Sequence, residues 1–360
     1  MWEVQEGGQP FCRSVGEHAQ VPTLSFLLSR RRRRRENVRE LMLQFLLKRL
    51  LGLLFVLLGV SFITFIIGYF SPIDPVLQQL GQHYTPESYA RLRHAYGLDL
   101  PWYMQYFRYV VNLLHFDLGR SIHNQSRRVI DLLKDGIPIS AEIATWGLLI
   151  TILLGIPAGI LSAIKANTWL DTTNMVLALI LYALPVFIIA IFAQLLVVWL
   201  NVNWGLGWPV TDWGTPWQYS WSDIQYKLVP IMVYGLAGYA YYARLARTSM
   251  LEVLRQDYIR TAHAKGLRQR TVVYRHALRN ALLPLITVFG LSLGLLITGA
   301  FFIERIFNIQ GIGLTTINAV SQGDFPVIQA TALLAALGVV LGNTISDILY
   351  TIVDPRIKLS

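Results

Sequence analysis

The sequence predicts an all-α membrane protein with six transmembrane helices, and three observations predict it. Of 360 residues, 54% are hydrophobic and only 14% charged, against about 25% charged in soluble domains. The apolar residues are gathered into blocks, each long enough for a helix to cross a hydrocarbon core of roughly 30 Å. The basic residues are gathered as well, flanking some blocks and missing beside others. A water-soluble enzyme is a poor fit to this composition. The net charge of +10 points to no nucleic acid here, because its placement beside apolar blocks gives it another use.

Taken in order, residues 1–41 are polar and then arginine-rich, with a run of arginines at 30–35, and read as an unstructured basic tail. Met42 would serve as an alternative start. The run reads as a solvated tail that reinforces topology, with anionic lipid as the other reading. Residues 42–138 hold the first span, 50–70, and a long following segment. Its apolar run exceeds the 7–15 residues of a signal-peptide core, and Ser71-Pro72 follows instead of a small-residue cleavage site, so it reads as retained. The core, 139–353, holds spans 139–164, 172–200, 228–242, 281–303 and 328–353, and 354–360 form a tail. Pro185 predicts a kink in the third span; Pro230, Gly235 and Gly238 interrupt the fourth.

Orientation follows from Lys and Arg near the span ends. Residues 1–49 hold ten, 244–279 hold nine against Glu252 and Asp257, and 201–226 hold none. Both termini and the loop 244–280 are therefore expected on the cytoplasmic side of a multi-pass chain in the cell membrane. Segment 71–138, with seven bases and six acids, is long enough to cross regardless of charge. Helical patterning at Trp102, Tyr106, Tyr109, Val110 and Leu113-Leu114 predicts a helical cap over the outer mouth there.

The candidate chemistry is sparse. The single cysteine, Cys12, allows no internal disulfide, and no Cys/His cluster has metal-ligand spacing, so no cofactor or metal is expected. No G-x-x-x-x-G-K-[ST] motif is present, so ATP hydrolysis is not expected of this chain. Gly290-Leu291-Ser292-Leu293-Gly294 matches the G-x-S-x-G pattern of a catalytic serine. It lies inside an apolar span with no histidine in any span to take the proton, so the glycines read as a helix-packing face. Glu142 and Asp347 lie in spans and Glu304 just past one, each within about two turns of a span end. Solvation at helix ends is the expected role. Trp204, Trp208, Trp213, Trp217 and Trp221 read as an interfacial aromatic belt, or as a docking surface for an extracytoplasmic partner.

The loop 244–280 says most. Ile259, Ala262 and Leu267, with Tyr258, suit a weakly apolar face among bases. Gly266 suits a left-handed turn that ends a short helix. A small-residue helix, a glycine turn and a basic helix make a knob suited to a groove on another protein.

At this loop the sequence resembles the permeases of type I ABC importers, in their dipeptide/oligopeptide branch. The family's E-A-A-x-x-x-G element falls on Arg260-Thr261-Ala262 and Gly266, with Arg for Glu and Thr for Ala in the manner of the peptide branch. Further matching segments are Tyr96-Gly97-Leu98-Asp99, Phe116-Asp117-Leu118-Gly119-Arg120-Ser121, Glu304 through Gly311-Ile312-Gly313, Asp324-Phe325-Pro326 and Asp354-Pro355-Arg356. The resemblance covers roughly residues 42–358.

It implies a type I transmembrane domain that pairs with a second homologous permease subunit. Two ABC ATPase subunits and an extracytoplasmic solute-binding protein complete the assembly. It further implies that Arg260, Thr261, Ala262, His263, Ala264, Lys265, Gly266 and Leu267 form the ATPase-coupling element, where bulk at Ala262 or Gly266 would hold the knob out of its groove. Short peptides are the expected cargo, with a nickel chelate or glutathione as alternatives. A single-chain secondary transporter would need internal repeats and midplane charges, and neither is seen. The residues lining the substrate path are not legible at this stage.

Overall fold

The computed structural model describes residues 24–124, 127–296 and 300–353, with side chains from Leu47. The expected tail at 354–360 and residues 1–23 of the expected N-terminal tail lie outside them. Residues 1–48 and 49–360 form two compact units. In the first, the described part is helical from the start of α1, Leu24–Tyr69. Residues 24–41, within the stretch expected to be an unstructured tail, are drawn into this helix. No Gly or Pro occurs between Leu24 and Leu51, and Arg, Leu and Glu are strong helix formers.

In the second unit the remainder of α1 is followed by three short helices, α2 (Pro75–Leu80), α3 (Pro86–Ala95) and α4 (Trp102–Leu114). The amphipathic α4 is where the aromatic pattern places a helix. It lies along the first span: Tyr106 packs its ring edge-on to Phe62 at 5.3 Å, and its hydroxyl meets Ser61 Oγ at 3.0 Å.

The next helix starts about ten residues before the expected 139. It runs as α5 (Val129–Ile150), a π-helical turn (Thr151–Gly155) and α6 (Ile156–Ile164). The expected third span is two helices, α7 (Trp169–Ala183) and α8 (Val186–Trp204). Pro185 does more than kink it: Leu184 takes an extended ψ of 123°, as residues before proline do, and the helix breaks. The fourth expected span lies inside α9 (Trp221–Leu254), 34 residues and thus about 51 Å long. Its middle is rich in Tyr and Gly. Five helices among the described residues are long and apolar enough to cross a membrane, and α9 is not one of them.

Because α9 runs to Leu254, the expected loop 244–280 shrinks to α10 (Asp257–Ala264) and its short flanks. One-turn α11 (Gln269–Thr271), a second π-helical segment (Val272–Ala277) and α12 (Leu278–Leu295) then form one rod. It stops short of the expected 303, and α13 (Phe301–Ile306) is separate. After α14 (Ile312–Gln322), α15 (Phe325–Val353) matches the expected last span within three residues.

Close backbone approach holds the long helices together. A Cβ on Gly290 would lie 2.8 Å from the Gly342 carbonyl oxygen, and one on Gly342 would lie 2.2 Å from that of Gly290. Side chains there would force α12 off α15, so the G-x-S-x-G match is a packing face. Ser292 Oγ meets the Tyr242 hydroxyl at 3.0 Å, and no histidine is involved. α5 and α9 approach in the same way, where Tyr234 lies across Gly147.

Candidate functional site

The candidate functional side chains gather at the two ends of the helix rods, here called the α10 end and the tryptophan end. At the α10 end, α10 is clipped between the close of α9 and the start of the α11–α12 rod. Ile259 and Ala262 are buried against Met250, Val272, Val273 and Ala277. They point home, which divides the expected apolar face: Tyr258 and Leu267 remain exposed while Ile259 and Ala262 do not. Bulk at Ala262 would therefore unseat α10 from its own chain, instead of blocking an outside groove.

The outward face carries Arg260, Thr261, His263, Ala264, Lys265, Gly266 and Leu267. Its shape is fixed by a paired C-terminal cap: the Leu267 N–H donates to Ala262 O at 3.4 Å and the Gly266 N–H to His263 O at 2.9 Å. The cap needs Gly266 at φ +73°, and open space surrounds that position, so backbone conformation alone asks for glycine. Asn280 Nδ2 donates to the Tyr258 hydroxyl at 2.7 Å and ties the start of α10 to α12. One layer further in, Arg247 of α9 donates twice to Asp171 of α7, at 2.6 and 2.7 Å. This bidentate pair links the α10 end of α9 to a third helix.

The tryptophan end overturns the reading of Glu142 and Glu304 as solvated helix-end groups. Both are fully buried. Glu142 of α5 accepts from Lys227 Nζ at 2.9 Å, from Trp213 Nε1 at 3.0 Å and from the Trp217 N–H at 2.8 Å. Lys227 spends its other protons on the carbonyls of Thr215 and Gln218, each at 2.7 Å. Every polar atom of the pair is thus used, as a buried ion pair requires. The tryptophans form no single stripe, because residues 205–220 are not helical. Trp213 is buried as part of this network, whereas Trp204, Trp217 and Trp221 are exposed. Just outside the network, the Ser220 hydroxyl and the Thr215 N–H donate to Asp223 and hold its carboxyl below the usual carboxylate range.

Glu304 of α13 accepts from Ser140 Oγ at 2.8 Å and from the Ala300 and Leu314 N–H groups at 2.9 Å each. A Cβ on Gly311 would strike that carboxylate at 2.5 Å, which explains the glycine beside it. A third acid, Asp324, precedes α15 and accepts from the Ser121 hydroxyl and from the Ile122 N–H at 3.2 Å. The segments ending at Ser121 and starting at Asp324, singled out separately in the sequence, therefore meet. The last span acid, Asp347, pairs with Arg49. Lys227 escaped the sequence reading, though a signal existed: it is the only Lys or Arg between Lys165 and Arg244.

Comparison with known proteins finds matches along nearly the whole chain. Residues 155–359 match the family described as binding-protein-dependent transport system inner membrane component, and residues 42–144 match that family's N-terminal region. A dipeptide transport system permease protein of Alkalihalophilus pseudofirmus is 36% identical over 338 residues, covering 88% of this chain and 100% of that protein. The Escherichia coli protein of the same name is 35% identical over 344 residues, 88% of this chain and 99% of its own. That of Bacillus subtilis is 35% identical over 318 residues, again 88% and 99%. The chain belongs to the family of binding-protein-dependent transport system inner membrane components, the permeases of ABC importers.

Proposed function

We propose that this chain is the permease subunit of an ATP-driven importer that carries short peptides across the cytoplasmic (inner) membrane. The observation that carries the cargo is the likeness, at 35–36% identity over 88% of the chain, to proteins named dipeptide transport system permeases. The assembly would contain a second homologous permease subunit, two ABC ATPase subunits that bind and hydrolyse ATP, and an extracytoplasmic solute-binding protein. The nine bases between residues 244 and 279 favour the α10 end as the cytoplasmic one, with both termini on that side.

In this reading the exposed face of α10, residues 260–267, docks on the ATPase. Ile259 and Ala262 make α10 rigid with the ends of α9 and α12, and Arg247–Asp171 extends that rigid body to α7. Closure of the ATPases on ATP would then move packed helices, not a loose loop. A two-state transport path is biased in this way by a ligand that binds one state better.

The test is capture and uptake. The tagged chain, extracted in mild detergent from its native host, should bring down an ATPase and a second permease, and cells should take up labelled dipeptides. Gly266→Asp should insert normally, lose the ATPase and abolish uptake. Normal uptake by Gly266→Asp would sink the docking assignment. Uptake of a nickel chelate or glutathione without dipeptides would reassign the cargo.

A further inference from the structure

Where the π turn after α5, the middle of α9 and the α12 rod meet the start of α13, the structure holds a cavity of about 300 Å³. Thr151 on its wall lies roughly 33 Å along the helix from Val129 and roughly 20 Å from Ile164, well inside the membrane-crossing length. Tyr234 and Tyr242, about 12 Å apart along α9, both line it. Among the described residues no Asp, Glu, Lys, Arg or His lines it.

Its polar groups are hydroxyls in an apolar surround. Thr151, on the wall, spends its hydroxyl proton on the Gly235 carbonyl at 3.1 Å, so its Oγ1 can otherwise only accept. Tyr242 and Ser292 share one hydrogen bond at 3.0 Å, which leaves the pair one donor to spare. Among the described residues the Tyr234 hydroxyl makes no hydrogen bond, and its ring lies across Gly147. An unmet hydroxyl at this depth is costly. Phe301, Phe302 and Leu148 supply the apolar wall.

We propose that this cavity receives one uncharged residue of a passing peptide and sorts cargo by the size and neutrality of that residue's side chain. The inference rests on the peptide-importer reading and names a site for it. A peptide unit carries an amide N–H and a carbonyl beside a side chain. Its carbonyl suits the spare donors of Tyr234 and the Tyr242–Ser292 pair; its N–H suits Thr151 Oγ1; its side chain suits the phenylalanines. The terminal ammonium and carboxylate find no ionic partner here and stay outside, since an unpaired charge is far costlier to bury than an amide. A volume of about 300 Å³ lies at the lower limit of small-ligand sites, which fits one residue better than a whole tripeptide.

The experiment measures uptake of four labelled tripeptides, Ala-Ala-Ala, Ala-Phe-Ala, Ala-Glu-Ala and Ala-Lys-Ala, by the complete importer, because only the middle residue of a tripeptide carries no charged terminus. Stimulation of ATP hydrolysis by the binding protein is read in parallel. Tyr234→Phe removes one oxygen and should lower uptake of Ala-Ala-Ala and Ala-Phe-Ala about five- to tenfold, the size of one hydrogen bond to a neutral group. Ala237→Leu fills the cavity from α9 and should cut Ala-Phe-Ala uptake at least tenfold while Ala-Ala-Ala stays within about twofold. Both variants should keep the stimulated hydrolysis. Equal loss across all four tripeptides, or an unchanged profile in both variants, overturns the cavity assignment alone. A wild-type importer that takes up none of the four overturns the peptide reading and the inference with it.

Discussion

The tryptophan end and the α10 end of this permease hold their connecting segments by different physics. At the tryptophan end, segment 205–220 is locked by a buried charge pair whose donors and acceptors are all used, with two more buried acids, Glu304 and Asp324, pinning neighbouring turns. At the α10 end, an eight-residue helix is seated by two buried apolar side chains and a glycine cap, and its charged groups all face outward. Buried polar networks specify one geometry and penalise any partial opening. A small apolar seat leaves the outward face available to another protein and lets the helix move with the rods beneath it. The comparison teaches that one end is built to keep its shape and the other, on the function proposed above, to transmit a push.

The largest effect should come from unbalancing the locked end. Glu142→Ala leaves Lys227 buried without its counter-ion and should cost about 3–5 kcal/mol, read as a lowered thermal midpoint in detergent. A Glu142→Gln, Lys227→Met double variant should recover most of it. If the single variant were no worse than a change at the α10 seat, the contrast between the ends would fail. Next comes Ile259→Ala, which should cost about 2–4 kcal/mol. That loss should be local: faster proteolysis at 255–268 with the rest of the chain protected. Smaller still is Gly266→Ala, at about 1–2 kcal/mol for a non-glycine residue held in the left-handed region. Gly266→Asn should cost less, so cap and uptake should weaken in the order Gly, Asn, Ala. Smallest in stability are Arg260→Ala and His263→Ala, within about 0.5 kcal/mol as surface changes, yet both should weaken retention of the ATPase. Retention equal to wild type in both would remove that face from the docking surface.

How much was legible in advance follows the range of the forces involved. The helical rods and the turn at Gly266 rest on neighbours within a few residues and could be read from composition and spacing; at Pro185 a disruption was legible but only as a kink, where the helix in fact breaks. The charge networks could not. Glu142 and Lys227 are 85 residues apart, Ser140 and Glu304 are 164, and Ser121 and Asp324 are 203. An acid near a helix end looks the same in sequence whether water or a distant lysine meets it. Ala262 misled for a related reason: a small residue on a short helix fits an outside groove or its own chain equally well, and only the packing of Val272 and Met250 decides. The cavity near Tyr234 was invisible because α5, α8, α9, α12 and the start of α13 build it together.

The central claim is that the outward face of α10, and not its buried face or the opposite end, meets the ATPase. It is tested most directly by photocrosslinking in native membranes. A single cysteine is placed at His263, Ala262 or Trp204 after replacing Cys12, the chain's one cysteine, and carries a benzophenone label. The account predicts an adduct with the ATPase from position 263 that changes in yield with ATP, and little or none from 262 or 204. No adduct from 263, or equal yields from 263 and 204, would contradict it.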